Sequence, residues 1–478
     1  MISELFNAVN KARFSGIRIV PANAPSLYQE CVKVFVAEVN RTHQNGKRIS
    51  ELQFLPTAAL VNIFEEMCLY PSLRNILRQE LADPALFMRI FNGHASNQHI
   101  LDRCLREASL SGKPVLSDLA TNYCDMARGD PLEPGSPAFM SRILATLKLG
   151  TYLNERGDPL EPGSPAFMSR ILATLKLGTY LNEAGWSSSS VDVIVIAKDM
   201  ISLIKDNRFH KKLEIECIQK LLHSEISCAH PNARNTTELL HELIAESTDT
   251  DELVKSYIEI SYFHYTVEEY DSCHDWNLKV MSLVTDSSPI SDVIAVLQLE
   301  ALFCFAKERY DLGSMLISQA IHRARSKYGN VHPRYADVIL TYGECLLLMN
   351  AVSDAVSTFM ELLDITTKLY GQHTPTVPIV QGYLAYGFYL RSHTTGRFDM
   401  AQEMIDKAIA QAKQLIPTGQ RVLDDLNAVR DMVIKGHDSV RAAMKENRVI
   451  KANNYQIFSF PEIRDKCVEL HASFECEC

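Results

Sequence analysis

The chain has 478 residues, more than one ordinary compact core takes up, so two or three domains or an extended solenoid are expected. Hydrophobic residues at 46% and charged ones at 22% describe a folded, soluble protein, and the modest 19 Pro and 20 Gly argue against long disordered tracts. A net charge of −10 with no Lys/Arg stripe argues against nucleic acid as the main ligand, and no apolar run approaches the roughly 20 residues that span a bilayer.

The opening MISELFNAVNKARFSG has acidic and polar residues where a secretion signal needs an apolar stretch. From there nearly every patterned segment has a period of about 3.6, which predicts helix. LYQECVKVFVAEVNR (27–41) puts Leu27, Cys31, Val34, Phe35 and Val39 on one stripe. In ISELQFLPTAALVNIFEEMC (49–68) a Leu-Pro turn pre-sets the helix start, and the helix shows Leu60, Ile63, Phe64 and Met67 on one side. Such an amphipathic helix ahead of a solenoid can dock into another protein's groove or pack on its own domain. Segments 71–81 and 84–93 continue the helical period.

Residues 128–155 and 156–183 are the same 28 letters twice, RGDPLEPGSPAFMSRILATLKLGTYLNE. Identity at every position reads as a recent duplication or a gene-model error, since structural repeats let exposed positions drift. The RGD tripeptides at 128–130 and 156–158 are coincidence in an intracellular chain. Further on, 191–197 (VDVIVIA) reads as the second helix of a pair, and 209–226 and 236–247 are again helical.

Lining up the small residues exposes a degenerate repeat of helix pairs. In 337-DVILTYGECLLLMNAVSDAVSTFMELLDI, Gly343 is followed by Ala355 twelve positions on and Phe359 sixteen on. These are the offsets of a tetratricopeptide repeat (TPR), a helix–turn–helix of about 34 residues whose helices cross over small side chains. Ala301, Cys304, Gly313, Ile317 and Ala320 fit the same offsets, as do Gly387, Leu390, Ala401, Ile405 and Ala408 once two extra turn residues are allowed. A weaker unit centres on Ser261 and Cys273. In the second copy of the duplication, Gly178 leads to Leu181, Ser190, Ile194 and Ala197, a complete hairpin. In the first copy Pro162 stands twelve past Gly150, and with Pro159 and Pro165 it forbids a second helix there, so one unpartnered helix is inserted. The linkers KYGNVHP (327–333) and LYGQHTP (369–375) echo each other, Gly ending one helix and Pro opening the next. The fold class is therefore all-α, a TPR-type solenoid behind an N-terminal helical region. Its expected parts are 1–127 (N-terminal helices), 128–155 (inserted helix), 156–250 (helical repeats), 251–420 (TPR solenoid) and 421–478 (divergent tail).

Chemistry is sparse. No P-loop, GxGxxG, GxSxG or HExxH spacing occurs, and the histidines, CAH at 228–230 and CH at 273–274 lack partners at zinc spacing. Twelve dispersed cysteines suit a reduced compartment rather than a disulfide framework. A non-catalytic binding protein without metal or cofactor is expected. A solenoid of this kind offers a concave face that holds an extended peptide, and counting back from the crossing glycines puts Gln298, Asp337, Glu344, Gln381 and Arg391 on it. Asp337 and Glu344 would suit a basic side chain.

The stretches YGNVHPRYADVILTYGECLLL, LAYGFYLRSHTTGRFDMAQEMIDKAI, NEAGWSSSS and LYQECVKVFVAEVNR…LPTAALVNIF together resemble the amyloid protein-binding protein 2 family, with its kinesin-light-chain-like TPRs. The resemblance runs from about 26 to about 420. It implies a cytoplasmic and nuclear adaptor, the substrate receptor of a cullin-2 RING ubiquitin ligase, joined through elongin B and C and reading C-terminal degrons. It also implies association with microtubules and with the tail of amyloid precursor protein, so the alternative is a transport adaptor linking such cargo to microtubules. Carried onto this chain, the helix bearing Leu55, Leu60, Ile63, Phe64 and Met67 becomes the candidate elongin-binding box. The family's box has a Leu with a Cys four residues on. Here Phe64 follows Leu60, and in the rival frame at Ser72-Leu73, with Leu77 and Leu81, Leu again replaces Cys. Family members continue with further TPRs where this chain reads HDSVRAAMKENRVIKANNYQIF, which implies an altered substrate pocket.

Overall fold

The structure, a computed structural model, describes residues 26–42, 49–94, 97–128, 165–204, 207–285, 288–415 and 420–445. Every regular element among them is a helix, so the fold is all-α. The expected unpartnered helix of 128–155 lies outside the described residues, save for Arg128.

Six helices make the N-terminal bundle: α1 (Leu27–Thr42), α2 (Thr57–Met67), α3 (Arg74–Leu81), α4 (Pro84–Phe91), α5 (Gln98–Ser109) and α6 (Val115–Arg128). Local chemistry sets their ends. Asp83 caps α4, its carboxylate accepting from the amides of Ala85 and Leu86, and Pro84 takes the first turn where no amide is needed. Buried Glu80 accepts the Ile49 amide at 2.7 Å and ties the loop before α2 to α3.

Six hairpins follow, α7 (Pro165–Glu183) with α8 (Ser187–Ser202), α9 (Asn207–Ser227) with α10 (Ala233–Ile244), and α11 (Thr250–Thr266) with α12 (Tyr270–Leu283). The others are α13 (Ile290–Ala306) with α14 (Tyr310–Tyr328), α15 (Pro333–Leu348) with α16 (Val352–Tyr370), and α17 (Thr376–Thr395) with α18 (Asp399–Leu415). The pair α9/α10 is a hairpin that the sequence offsets do not mark. Residues 420–445, placed at the head of the divergent tail on sequence, form α19 (Gln420–Lys445), which covers α17 and α18 with Leu426 and Val433 buried.

One device closes five of the six turns. A single residue takes positive φ, at Gly185, Ala229, Glu268, Glu308 and Asn350. The next amide then reaches back along the helix: Trp186 to Leu181 O, His230 to Glu225 O, Glu269 to His264 O, Arg309 to Cys304 O and Ala351 to Leu346 O, all at 2.7–2.9 Å. This is the Schellman closure, and it satisfies carbonyls that the helix end would orphan. At the sixth turn the two extra residues lengthen α17 rather than the three-residue turn, and the helix ends on Gly396, also at positive φ, whose amide donates to Ser392 O at 2.7 Å.

Helix crossings use the small residues. Gly178, Ala197, Ala301, Gly313, Ala320, Gly343, Ala355, Phe359, Ala401 and Ala408 are all buried in the helix contacts. A Cβ on Gly178 would lie 2.4 Å from Ile194, and one on Gly343 2.4 Å from the Phe359 ring, so at both crossings the partner stands sixteen residues on. Gly387 departs from the expected pairing with Ala401. Its close neighbour is Val356 of α16, at 2.7 Å from a Cβ position, so this glycine serves the joint with the preceding hairpin.

The apolar core runs unbroken from α1 through α10, so the bundle and the first two hairpins share one interior. The solenoid then curves back onto its start. Arg106 of α5 donates to Lys368 O, Thr376 Oγ1 donates to Ala184 O at 3.2 Å, and the Tyr180 and Tyr370 rings meet edge to face at 6.4 Å.

Candidate functional site: the inner face of the solenoid

The first helices of successive hairpins, α7 through α15, rest directly on one another, so they form the tighter inner layer of the curve. A ladder of polar bonds runs along it. Lys220 Nζ donates to Thr179 Oγ1 at 3.2 Å, Gln219 Nε2 to Ser256 Oγ at 2.8 Å, and His223 Nδ1 lies 3.0 Å from Glu259 Oε2. Gln298 Nε2 donates to Asp337 Oδ2 at 3.1 Å and Thr341 Oγ1 at 3.2 Å, and the Tyr383 hydroxyl donates to Glu344 Oε1 at 2.5 Å.

Curvature brings distant carboxylates together. The enclosing wall works against the Arg334 charge, yet Glu183 of α7, Asp337 of α15 and Glu259 of α11 hold its guanidinium above the ordinary value. Enclosure raises the Glu183 carboxyl, with Arg334 opposing. It lifts Glu344 to about 7, the Tyr383 bond opposing and Asp337 assisting. The His223 imidazole is raised chiefly by Glu259. Burial, followed by nearby carboxylates, pushes up the phenols of Tyr262, Tyr265 and Tyr383. The face is thus acidic with an aromatic floor, suited to charge-assisted bonds with cations on an extended chain.

The residues expected on this face divide. Asp337 and Glu344 stand on it. Gln298 is buried and acts as a brace that orients Asp337. Gln381 is buried too, its Oε1 without a partner. Arg391 is exposed near the end of α17 and takes no part in the ladder. Glu183, His223, Glu259, Tyr262, Arg334 and Tyr383 escaped the sequence reading. The run Arg334, Asp337, Thr341, Glu344 recurs every three or four residues, a polar stripe on a helix whose other faces are apolar, and that was the available signal.

The elongin-binding expectation needs correction. Leu55, Leu60, Ile63, Phe64 and Met67 all lie in the bundle core, with Leu60 wholly buried and Phe64 1% exposed. The rival Leu73, Leu77 and Leu81 are buried as well. Neither apolar face is free to dock. Exposed apolar side chains flank α2, at Phe54 and Leu69, and line one side of α1, where Leu27 is 61% and Val34 66% exposed while Val32, Phe35, Val36 and Val39 turn inward.

Where the curve closes, a cavity of about 460 Å³ opens among α4, α5, α7, α9 and the two echoing linkers. Asp102, Lys176, Glu183, Lys220, His332 and Tyr370 are on its wall. Asp102 accepts from Tyr180 Oη and Gln98 Nε2, each at 3.1 Å, and its carboxyl is raised by burial. Among the described residues no three His, Cys, Asp or Glu side chains converge as a metal site, and no helix is long and apolar enough to cross a membrane.

Fold and face together define a TPR-type solenoid with an acidic, aromatic inner face. No family model matches the chain. Over 256 residues it is 25% identical to amyloid protein-binding protein 2 of Rattus norvegicus and of Mus musculus, a match covering 53% of this chain and 44% of each relative. The matched stretch thus spans less than half the length of those relatives. A looser structural likeness, TM-score 0.36 at 9% identity over 88% of this chain and 74% of the other, links it to a STAND signal-transduction ATPase with a tetratricopeptide repeat sensor from Pyrococcus horikoshii, too distant to carry an argument.

Proposed function

We propose that the chain is an adaptor that holds an extended peptide with basic side chains along its inner face. One observation carries this reading: Glu259, Asp337 and Glu344 stand along the inner helices, bonded to His223, Gln298 and Tyr383, and Glu183 is on the wall of the cavity where the curve closes. The relatives' name makes the tail of an amyloid protein one ligand to try. In fluorescence anisotropy, a Lys/Arg-containing peptide should bind more tightly than its neutral analogue and weaken with salt. Glu259→Gln with Asp337→Asn should cost at least tenfold in affinity, since one hydrogen bond to a charged group contributes about 1.5–3 kcal/mol. Equal binding of both peptides would count against an acidic groove.

The finer reading is a substrate receptor of an elongin–cullin-2 ubiquitin ligase, working in cytoplasm and nucleus. Support comes from α1: Leu27 with Cys31 four residues on matches the box the resemblance describes, and its Leu faces outward. Elongin B–C should be captured by the wild-type chain and lost with Leu27→Asp, which disturbs no core. Phe64→Asp is uninformative, because a buried charge would unfold the bundle. Failure of the wild type to capture elongin would remove the ligase role and leave the peptide groove standing.

A further inference from the structure

Cys68 closes the end of α2 and Cys104 sits within α5, 36 positions apart in sequence with their sulfurs 3.5 Å apart. The two helices hold this pair in hydrogen-bond contact with no disulfide between them. Cys104 is 1% exposed, whereas Cys68 is partly accessible. Beside them Arg103 of α5 reaches Glu65 of α2 at 3.5 Å, a second link across the same joint.

We propose that Cys68 and Cys104 are a reversible redox pair, in which a hydroperoxide oxidises Cys68 and Cys104 resolves it to a disulfide. The Cys68 thiolate attacks the near peroxide oxygen, the O–O bond breaks, and hydroxide (or alkoxide) leaves as Cys68 becomes a sulfenic acid. The Cys104 sulfur then attacks the sulfenyl sulfur. The S–O bond breaks, the S–S bond forms, and the Cys104 proton departs with the hydroxyl as water. Two thiols lose two electrons in all, and the peroxide takes them.

The division of labour follows from the surroundings. The hydrogen bond with Cys104 pulls Cys68 below the usual thiol pKa, burial opposes this, and the Arg103 charge assists against Glu107 and Glu65. The same bond and burial push Cys104 up, as suits the sulfur that waits. Cys217, Cys273, Cys304 and Cys345 are buried singly, and burial raises each of them. The consequence falls on α5. That helix carries Asp102 in the closure cavity and Arg106 against the end of α16 at Lys368, so the disulfide would pin to α2 the helix on which the closure rests.

The test is peptide mapping of the full-length chain after brief hydrogen peroxide treatment and alkylation. The expected product is a peptide pair joined through Cys68 and Cys104, lighter by two hydrogen atoms and released by dithiothreitol, with the melting temperature raised in the oxidised chain. Cys68→Ser should abolish the product and leave Cys104 reduced. In Cys104→Ser, a sulfenic acid at Cys68 should persist and react with dimedone. Peroxide that leaves both thiols free, joins other cysteines first, or carries Cys68 to the sulfinic acid in the wild type would overturn the proposal.

Discussion

Hairpin α11/α12 crosses over a hydroxyl group and α7/α8 adds one beside its Gly178–Ile194 contact, whereas α15/α16 crosses over a glycine filled by a ring. Ser190 Oγ donates to Gly178 O at 2.7 Å and meets Ser224 Oγ of the next hairpin at 2.8 Å. Ser261 Oγ lies 3.0 Å from Cys273 O and 2.9 Å from Asn277 Oδ1, and Asn277 Nδ2 donates to Glu300 of α13 at 3.1 Å. In the later half, Phe359 packs over Gly343 and stacks on Tyr383 of the following hairpin at 5.0 Å. Each joint does two things, closing its own hairpin and gripping the next. In the early half hydrogen bonds, which fix direction, take part in both, joined at α7/α8 by the Ile194 side chain over Gly178. The later half does both with one aromatic side chain, which fixes shape.

The comparison is strained hardest at Phe359. Phe359→Ala removes the ring from both contacts at once, and a cost of about 3–5 kcal/mol in urea unfolding is expected. Gly343→Ala should cost about 1–3 kcal/mol, because the added methyl meets the ring edge and one of the two helices must move. A loss below about 1 kcal/mol for Phe359→Ala would mean that the ring is not what joins these hairpins.

On the polar side, Ser261→Ala takes away the one hydroxyl proton within reach of the buried Asn277 Oδ1 and the Cys273 carbonyl, leaving one of them short of a donor. A cost of about 1–3 kcal/mol is expected in the same measurement. Were it only a few tenths, the hydroxyl would be a spacer, and the two halves would differ in residue type but not in physics.

The same contrast decides what the sequence makes legible. A shape-filling joint demands Gly, Ala and Phe at fixed spacing, a rare combination, so Gly343, Ala355 and Phe359 stand out. A hydroxyl joint uses serine, common on any surface, and the hairpin α9/α10, held through Ser224 to the hairpin before it, leaves no mark. Helical period also reveals that a face is apolar without revealing what covers it. The helix at 57–67 therefore looks like a docking face until Leu60 and Phe64 prove to be core. In α1 the period alone cannot separate neighbouring stripes: of the stripe Leu27, Cys31, Val34, Phe35 and Val39, Leu27 and Val34 are exposed, while Val32 and Val36 beside it are buried. Glu183 and Glu259 look like ordinary solvated charges in the linear chain. Only the curve that carries α7 round toward α15 makes them one site with Asp337.

Each half also has a titratable bond between successive inner helices, and the two should report in different pH windows. In the later half, burial lifts the Glu344 carboxyl from 4.5 to about 7. The folded chain therefore keeps this proton after the unfolded chain has released its own, and stability falls as pH rises from about 4.5 to about 7. In the early half, Glu259 raises His223 above 6.5, so the stability that pair gives is complete below pH 6.5 and is lost as pH rises through the higher folded value. Glu344→Gln should flatten the lower window and stabilise the chain by about 1 kcal/mol at pH 8, the raw shift being discounted because water reaches the groove. His223→Gln should flatten only the upper window, by less, since that side chain is 41% exposed. Urea midpoints measured against pH separate the two. If either substitution flattened both windows, the inner ladder would titrate as one unit from α9 to α17, and the halves would differ at their crossings but not along the inner face.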